Sequence, residues 1–341
     1  MSVRILTGDC RQVLALLPDE SVHCVVTSPP YFGLRDYGVA GQIGLEASPE
    51  AFVAEMVAVF REVRRVLRKD GTLWLNLGDS YAGSWAGNSM RPKGGAQREG
   101  GPGFQPLSDG RYSARGGKTY GLKPKDLIGI PWRVAFALQA DGWWLRQDII
   151  WSKPNPMPES ITDRCTKAHE YLFLLSKSER YHFDADAIAE PVVFGDGTGV
   201  GPRYAPPGGG PAHRGLKRSQ KLATRAVERS GTTTGGTEAS TLGFTVRETR
   251  NKRSVWTVPT SPFSEAHFAT FPPDLITDCI KAGCPAGGTV LDPFGGAGTT
   301  GLVADRLGRD AILIELNPEY ATMARNRLAR DGGMFAQIAA E

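Results

Sequence analysis

Two short motifs near opposite ends of the chain carry the residue types best suited to chemistry. The first, Ser28-Pro29-Pro30-Tyr31, directly follows the apolar run Val22–Val26, which predicts a buried strand. Two consecutive prolines fix the backbone and remove two N–H donors, which leaves carbonyl acceptors exposed to a ligand. The Ser28 hydroxyl and the Pro29 carbonyl can accept both hydrogens of a planar aromatic amine, while the Tyr31 ring stacks on it.

The second motif is a glycine-rich loop between a predicted strand and a predicted helix, Asp292-Pro293-Phe294-Gly295-Gly296-Ala297-Gly298-Thr299-Thr300. Glycines let the backbone approach a ligand closely, and the helix start presents unpaired N–H groups. Glu315 ends the next predicted strand, where a carboxylate can hold ribose hydroxyls. Gly296–Gly301 also satisfies G-x-G-x-x-G, but only 26 residues follow Glu315, too few for the second half of a dinucleotide fold. By itself the loop leaves a nucleotide and S-adenosylmethionine both open.

The elements that must position these motifs alternate between strand and helix along the chain, which predicts an α/β fold with a mostly parallel, doubly wound sheet. The predicted strands are Val3–Leu6, Val22–Thr27, Thr72–Leu77, Trp143–Trp151, Glu170–Leu175, Ser254–Val258, Thr289–Asp292 and Ala311–Glu315. The predicted helices are Arg11–Leu17, Glu50–Arg68, Gly129–Ala140, Asp274–Ala282, Thr300–Leu307 and Pro318–Arg330. The sheet begun at Thr289 can be completed only by strands from the N-terminal part of the chain, which would bring the two motifs together.

Composition excludes several classes of protein. The chain has 341 residues, 40% of them hydrophobic, and a formal net charge of +4, so it is neither a disordered polymer nor a membrane protein. No apolar run approaches the roughly 20 residues of a membrane span, and the N-terminus does not resemble a signal peptide. We therefore expect a soluble cytoplasmic protein. Five scattered cysteines without a Cys-x-x-Cys pair argue against a disulfide framework and a metal site.

Positive charge is concentrated in two glycine- and proline-rich segments. Residues 85–125 hold eight basic and two acidic side chains, and residues 191–253 hold eleven basic and four acidic ones. Such segments are either solvated linkers or arms that grip a polyanion and become ordered on it. Charge alone does not decide between these two interpretations.

The early Ser-Pro-Pro-Tyr and the late Asp-Pro-Phe-Gly-Gly-Ala-Gly-Thr-Thr together resemble the β class of amino DNA methyltransferases, in which the catalytic motif precedes the cofactor motif. This resemblance implies the Rossmann-like fold of S-adenosylmethionine-dependent methyltransferases, with permuted motif order. It places the catalytic and cofactor-binding domain in residues 1–190 and 254–341, with a basic insertion at about 85–125. Residues 191–253 fall where the class keeps its target-recognition region.

The resemblance also assigns roles to single residues. It implies catalytic roles for Ser28, Pro29, Pro30 and Tyr31. It implies cofactor contacts for Asp9, Thr27, Thr270, Phe271, Asp292, Phe294, Gly295, Gly296, Gly298, Thr299, Thr300 and Glu315. For DNA we expect contacts from Arg35, Arg203, Arg214, Lys217, Arg218 and Arg253. Asp9 has a second interpretation as the cap of the helix that begins near Arg11.

The implied activity is transfer of a methyl group from S-adenosylmethionine to the exocyclic amine of a base extruded from double-stranded DNA. Ser28 in the first motif position favours cytosine N4 by the habit of the class, and adenine N6 stays open. A homodimer and a cognate restriction enzyme are further expected partners. Two other functions remain as alternatives: an NAD-dependent oxidoreductase, from the literal glycine pattern, and a non-catalytic nucleic-acid-binding protein that uses the basic segments.

Overall fold

The computed structural model of the chain describes residues 2–34, 36–83, 119–191, 249–261 and 271–332, and the backbone of residues 104–106, 112–114 and 337–340. The chain divides into two compact units. The larger unit comprises Met1–Ile188 and Lys252–Glu341, and the smaller one is Ala189–Asn251.

Thirteen strands lie within the described residues. They are β1 (Ser2–Thr7), β2 (Val22–Thr27), β3 (Leu67–Leu77), β4 (Phe104–Pro106), β5 (Tyr112–Ala114), β6 (Trp144–Ser152), β7 (His169–Ser176), β8 (Glu190–Pro191), β9 (Thr249–Arg250), β10 (Val255–Thr257), β11 (Thr289–Asp292), β12 (Asp310–Glu315) and β13 (Gln337–Ala340). Nine of them form one sheet in the order β10-β6-β7-β3-β2-β11-β12-β1-β13. Of these nine, β7 alone runs antiparallel to its neighbours. The predicted α/β fold with a mostly parallel sheet is therefore confirmed.

Six α-helices within the described residues connect and cover this sheet: α1 (Cys10–Leu16), α2 (Pro49–Val66), α3 (Ile130–Ala140), α4 (Pro273–Gly283), α5 (Thr299–Arg306) and α6 (Pro318–Gly332). The core is split into two hydrophobic clusters. One joins α1, α2 and α3 to the sheet through residues such as Val25, and the other joins α4, α5 and α6 through residues such as Cys24 and Val26. Because successive side chains of a strand point to opposite faces, this alternation places one helical layer on each face.

Four adjacent parallel strands position the functional motifs. β2, β11, β12 and β1 lie side by side, with Val25 of β2 paired with Leu291 of β11. The carboxyl ends of parallel strands meet at one edge of the sheet, which is where open α/β sheets bind ligands. The segments after residues 7, 27, 292 and 315 therefore converge, although they come from opposite ends of the chain.

No helix among the described residues is both long enough and apolar enough to cross a lipid bilayer. All five cysteines are free thiols, and four of them are buried.

Candidate active site

One pocket at the carboxyl edge of the sheet is lined by both sequence motifs. Its lining comprises Gly8–Cys10, Ser28–Tyr31, Leu34, Tyr37, Val39, Gly41–Ile43, Phe271, Asp292–Ala297, Thr299, Ile314–Asn317 and Tyr320. The Ser-Pro-Pro-Tyr motif and the glycine loop thus face a single cleft. Such a concave site with a few convergent polar groups is the expected form of a small-molecule site.

The glycine loop takes its shape from two positions that only glycine fills well. Gly296 (φ +50°) and Gly298 (φ +78°) adopt the left-handed conformation, which disfavours residues with a Cβ atom. A Cβ atom on Gly298 would lie 2.9 Å from Cβ of Ala324 in α6. Gly298 precedes α5 directly and does not line the pocket. It therefore shapes the loop, and its predicted contact with the cofactor stays a prediction.

Asp292 is the buried centre of the loop. Its carboxylate accepts hydrogen bonds from the Thr27 hydroxyl at 2.6 Å, from the Thr300 hydroxyl at 2.6 Å and from the Phe294 N–H at 3.0 Å. Burial raises the pKa of Asp292 to about 6, and these donors oppose the shift. Thr27 and Thr300 are fully buried and lie outside the pocket lining, and their hydroxyls bind Asp292. Their predicted contacts with the cofactor stay predictions.

Glu315 is the last residue of β12 and lines the same pocket. Its two oxygens accept the Gly296 N–H and the Asn317 N–H, both at 2.8 Å. Burial raises the pKa of this carboxyl above its ordinary value, and the two backbone donors oppose the change. Its neighbours Ile314 and Leu316 also line the pocket and add apolar surface on either side of the carboxylate.

The charge of the pocket is compatible with a cationic ligand. Among the described lining residues, three carry carboxyl groups, Asp9, Asp292 and Glu315, and none is basic. A sulfonium cation would meet negative charge there, which fits S-adenosylmethionine. A pyrophosphate can be held by backbone N–H groups at a helix start without lysine or arginine, so the charge of the lining alone leaves a dinucleotide open.

Asp9 caps a helix and also lines the pocket, and its contact with the cofactor stays a prediction. Its side chain caps α1 by accepting the Arg11 N–H at 2.9 Å, and it also lines the pocket. The Arg11 guanidinium binds the same carboxylate, and this hydrogen bonding lowers the pKa of Asp9. Arg11 also donates to the Gly41 carbonyl at 2.8 Å, which ties the pocket-lining stretch around Gly41 to the base of α1.

Asn76 of β3 lies behind the Ser-Pro-Pro-Tyr motif. Its amide nitrogen donates to Glu170 at 3.3 Å and to the Tyr171 carbonyl at 3.1 Å. Its oxygen consequently accepts from the Ser28 hydroxyl, at 3.2 Å. Because the single hydrogen of Ser28 is used in this way, the lone pairs of Ser28 remain available to accept hydrogens from an incoming amine.

Tyr31 is held by a second group that sequence reasoning missed. Its hydroxyl donates to Glu170 Oε2 at 2.6 Å, and Lys153 pairs with Oε1 of the same carboxylate at 2.5 Å. Neither Asn76 nor Glu170 is singled out by the sequence motifs. The available signal was a polar residue inside or next to an otherwise apolar strand, such as Asn76 between Leu75 and Leu77.

The remaining predicted residues divide into two groups. Phe271 lines the pocket, and Arg253 belongs to the larger unit, outside the pocket lining. Thr270, Arg35, Arg203, Arg214, Lys217 and Arg218 lie outside the described residues.

Comparison with known proteins agrees with this geometry. The profile of a family described as DNA methylase, covering N6 and N4 enzymes, matches residues 22–326. The type II methyltransferase M.XycI of Xanthomonas campestris pv. cyanopsidis is 44% identical over 98% of this chain and 91% of its own length.

Two solved structures show the same fold. A Thermus thermophilus protein in complex with S-adenosyl-L-methionine aligns with a TM-score of 0.53 at 24% identity, covering 99% of each chain. The cytosine-N4-specific PvuII DNA methyltransferase aligns with a TM-score of 0.59 at 20% identity, covering 96% of this chain and 86% of its own.

The sequence had predicted an S-adenosylmethionine-dependent enzyme that methylates an exocyclic amine in DNA, and at this level the prediction is confirmed. With a family profile matched from residue 22 to residue 326 and a relative at 44% identity over nearly the whole chain, this protein belongs to the DNA methylase family of N6 and N4 amino methyltransferases.

Proposed function

We propose that the protein is a site-specific DNA methyltransferase that methylates cytosine at N4, with Ser28 as the first hydrogen-bond acceptor for the base amine. The observation that carries this proposal is the neutral hydroxyl of Ser28 at the motif's first position, where the class uses serine mainly for cytosine. Its geometry supports an acceptor role, because Asn76 takes its only hydrogen.

The pocket residues fit S-adenosylmethionine as the bound cofactor. In this proposal Glu315 accepts the ribose hydroxyls, Phe294, Ile314 and Leu316 frame the adenine, and Asp9 accepts the adenine amine; all five line the pocket. The loop from Asp292 to Ala297 and the start of α5 hold the amino-acid tail. The cofactor supplies an electrophilic methyl group on a sulfonium, which is a good leaving group.

The protein's own contribution is to position and activate the amine. The lone pair of an aromatic amine is delocalised into the ring, which makes the nitrogen a poor nucleophile. Hydrogen bonds from its two hydrogens to Ser28 and to the Pro29 carbonyl favour a pyramidal nitrogen with the lone pair directed at the methyl group. Orientation and fixed dipoles of this kind account for large parts of many enzymatic rate enhancements.

The target base must leave the duplex to reach this pocket, and stacking on Tyr31 offsets part of that cost. Contacts with the DNA backbone come, in this proposal, from the basic segments 85–125 and 191–253 and from Arg35. Residues 191–253 act as the target-recognition region. A cognate restriction enzyme is the partner that the type II name of M.XycI supports, and a homodimer remains a prediction of the class resemblance.

Identification of the methylated nucleoside tests the proposal. Duplex DNA of mixed sequence is incubated with the protein and labelled S-adenosylmethionine, digested to nucleosides and separated by liquid chromatography with mass detection. We expect the label in N4-methyldeoxycytidine. Recovery of the label as N6-methyldeoxyadenosine would overturn the choice of base, and label in neither nucleoside would overturn the proposed function.

A further inference from the structure

We propose that Glu170, held by Lys153, is a positioning residue that fixes Tyr31 for stacking on the extruded base. This inference rests on the proposed function, because it takes Tyr31 as the stacking surface. Neither Glu170 nor Lys153 lines the pocket, so both would act through Tyr31 without touching the base.

Glu170 accepts hydrogen bonds from three different donors. Oε1 accepts from the Lys153 ammonium at 2.5 Å, and Oε2 accepts from the Tyr31 hydroxyl at 2.6 Å and from the Asn76 amide at 3.3 Å. Lys153 itself lies over the Trp151 ring, with its nitrogen 4.2 Å from the ring centre. The carboxylate is therefore fixed from both sides, and the Tyr31 hydroxyl has one strong acceptor.

These contacts form a chain across four neighbouring strands. Lys153 follows β6, Glu170 lies in β7, Asn76 lies in β3, and Tyr31 follows β2, in the same order as the strands of the sheet. Trp151 and Glu170 are paired across β6 and β7, and Asn76 pairs with Leu172 across β3 and β7. The backbone ladder thus sets the positions of Glu170 and Asn76 relative to the catalytic motif.

The Tyr31 ring is constrained at its edge as well as at its hydroxyl. A Cβ atom on Gly78 would lie 2.4 Å from Cε2 of Tyr31, so the glycine lets the chain after β3 pass directly against the ring. Burial and the negative charge of Glu170 raise the pKa of the Tyr31 phenol well above its ordinary value. The hydroxyl therefore stays protonated as a donor, which leaves the ring rather than the oxygen for contact with the base.

A purely structural role would not require charge at this place. The side chains of Lys153 and Glu170 are only 17% and 15% exposed, and removing such a pair from water is costly. Apolar side chains of similar size commonly serve stability as well or better. What the charged pair provides is a carboxylate on Glu170 that accepts a strong, directional hydrogen bond from the Tyr31 hydroxyl.

The test is a double-mutant cycle on methyl transfer with the full-length protein, using Tyr31→Phe, Glu170→Gln and the combination, together with Tyr31→Ala, which removes the ring. Single-turnover methyl transfer, the Kd for S-adenosylmethionine and the free energy of urea unfolding are measured for each variant. The matched control is Tyr181→Phe, which removes a phenol that binds the exposed Arg146. A second variant, Lys153→Met with Glu170→Leu, removes both charges together and so avoids an unpaired buried ion.

We expect each single variant to slow methyl transfer about tenfold, and the combination to be no slower than either, because Glu170 acts through the Tyr31 hydroxyl. The Kd for S-adenosylmethionine should stay within about twofold of the wild-type value, and Tyr181→Phe should transfer at the wild-type rate. The Lys153→Met, Glu170→Leu variant should fold and show the same slow transfer.

The inference is overturned if the two single effects multiply to about a hundredfold, or if Glu170→Gln transfers normally while Tyr31→Ala does not. In either case the proposed function survives. If Tyr31→Ala transfers at full rate, the stacking role of Tyr31 and this inference fail while the proposed function survives. If the wild-type protein transfers no methyl group to DNA, the proposed function itself fails and this inference fails with it.

Discussion

At the scale of single residues, the buried carboxylate of Asp292 links the stability of the fold to its site. It accepts three hydrogen bonds yet lies in surroundings that raise its pKa to about 6 from 3.8. The folded state therefore holds a proton on Asp292 over a pH range in which the unfolded chain has already released it. By linkage, this group's contribution to stability declines as the pH rises from about 4 through about 6.

We predict that Asp292→Asn flattens this decline. The asparagine stays neutral, so the difference in unfolding free energy between variant and wild type should change by on the order of 3 kcal/mol between the unfolded pKa of 3.8 and a pH above the folded value of about 6. Urea unfolding across about pH 4 to pH 7 measures it. Asp148→Asn, at an exposed position of β6, is the control and should leave the profile unchanged. If Asp292→Asn left the pH dependence of the unfolding free energy unchanged, burial would not govern the pKa of Asp292.

The residue scale also marks the limit of sequence reasoning about the site. Motif residues such as Ser28 and Glu315 follow or end strands, and that position alone predicted that they would meet at one edge of the sheet. Thr27 precedes the first motif and Thr300 ends the second, but both hydroxyls bind the buried Asp292, which a motif pattern does not reveal. Asn76 and Glu170 come from separate strands whose pairing depends on the tertiary fold.

At the scale of elements, Gly298 connects the glycine loop to α5, and two separate constraints at this position disfavour a Cβ atom. Its φ of +78° disfavours any Cβ atom, and a Cβ atom there would also lie 2.9 Å from Ala324. Gly287 has a similar φ of +70° but open space around it. The two positions therefore separate backbone strain from steric overlap.

We predict that Gly298→Ala lowers the free energy of unfolding by about 2 to 4 kcal/mol, while Gly287→Ala lowers it by about 1 kcal/mol. The larger loss includes the overlap with α6, which cannot move without disturbing the sheet. Urea unfolding compares the two variants, and calorimetric titration should show weaker S-adenosylmethionine binding for Gly298→Ala alone. If both variants lost the same free energy of unfolding, α6 would have moved to accommodate the added methyl group.

Most elements could be predicted from hydrophobic periodicity, because a parallel sheet covered on both faces needs continuous apolar strands. The differences have physical causes. β3 begins at Leu67, five residues before the predicted Thr72. The reason is that Lys69–Gly71 stay extended beside the segment that follows β7. In that segment, the His182 N–H donates to the Asp70 carbonyl. β13 was missed because its four residues, Gln337–Ala340, carry little pattern and depend on pairing with β1.

At the scale of the whole molecule, the chain separates cofactor binding from the proposed recognition of DNA sequence. The described residues of the pocket all belong to the larger unit. In the smaller unit, β8 and β9 pair so that Pro191 lies opposite Thr249, and Arg250 contacts Glu190 at 3.3 Å. Pro191 and Thr249, the described residues that flank the segment 192–248, are therefore adjacent, and a short turn can connect them.

We predict that replacing residues 192–248 with an Asn-Gly turn leaves the S-adenosylmethionine Kd within about twofold and lowers DNA affinity at least about tenfold. The reason is the loss of eight of the eleven basic side chains of residues 191–253, which would also reduce the salt dependence of binding. Calorimetric titration and DNA binding at several salt concentrations measure the two effects. If this variant methylated DNA at the wild-type rate, that result would contradict the assignment of the segment to target recognition.

The central claim is that a methyl donor and an extruded base amine meet in one pocket, with Glu315 on the donor side and Ser28 on the acceptor side. The most direct measurement compares the S-adenosylmethionine Kd with the single-turnover rate of methyl transfer for Glu315→Gln and Ser28→Ala. The account predicts a split: Glu315→Gln weakens cofactor binding at least about tenfold and keeps most of the rate at saturation, whereas Ser28→Ala keeps the Kd and slows transfer about a hundredfold. A Ser28→Ala variant that transfers methyl groups to DNA at the wild-type rate would contradict it.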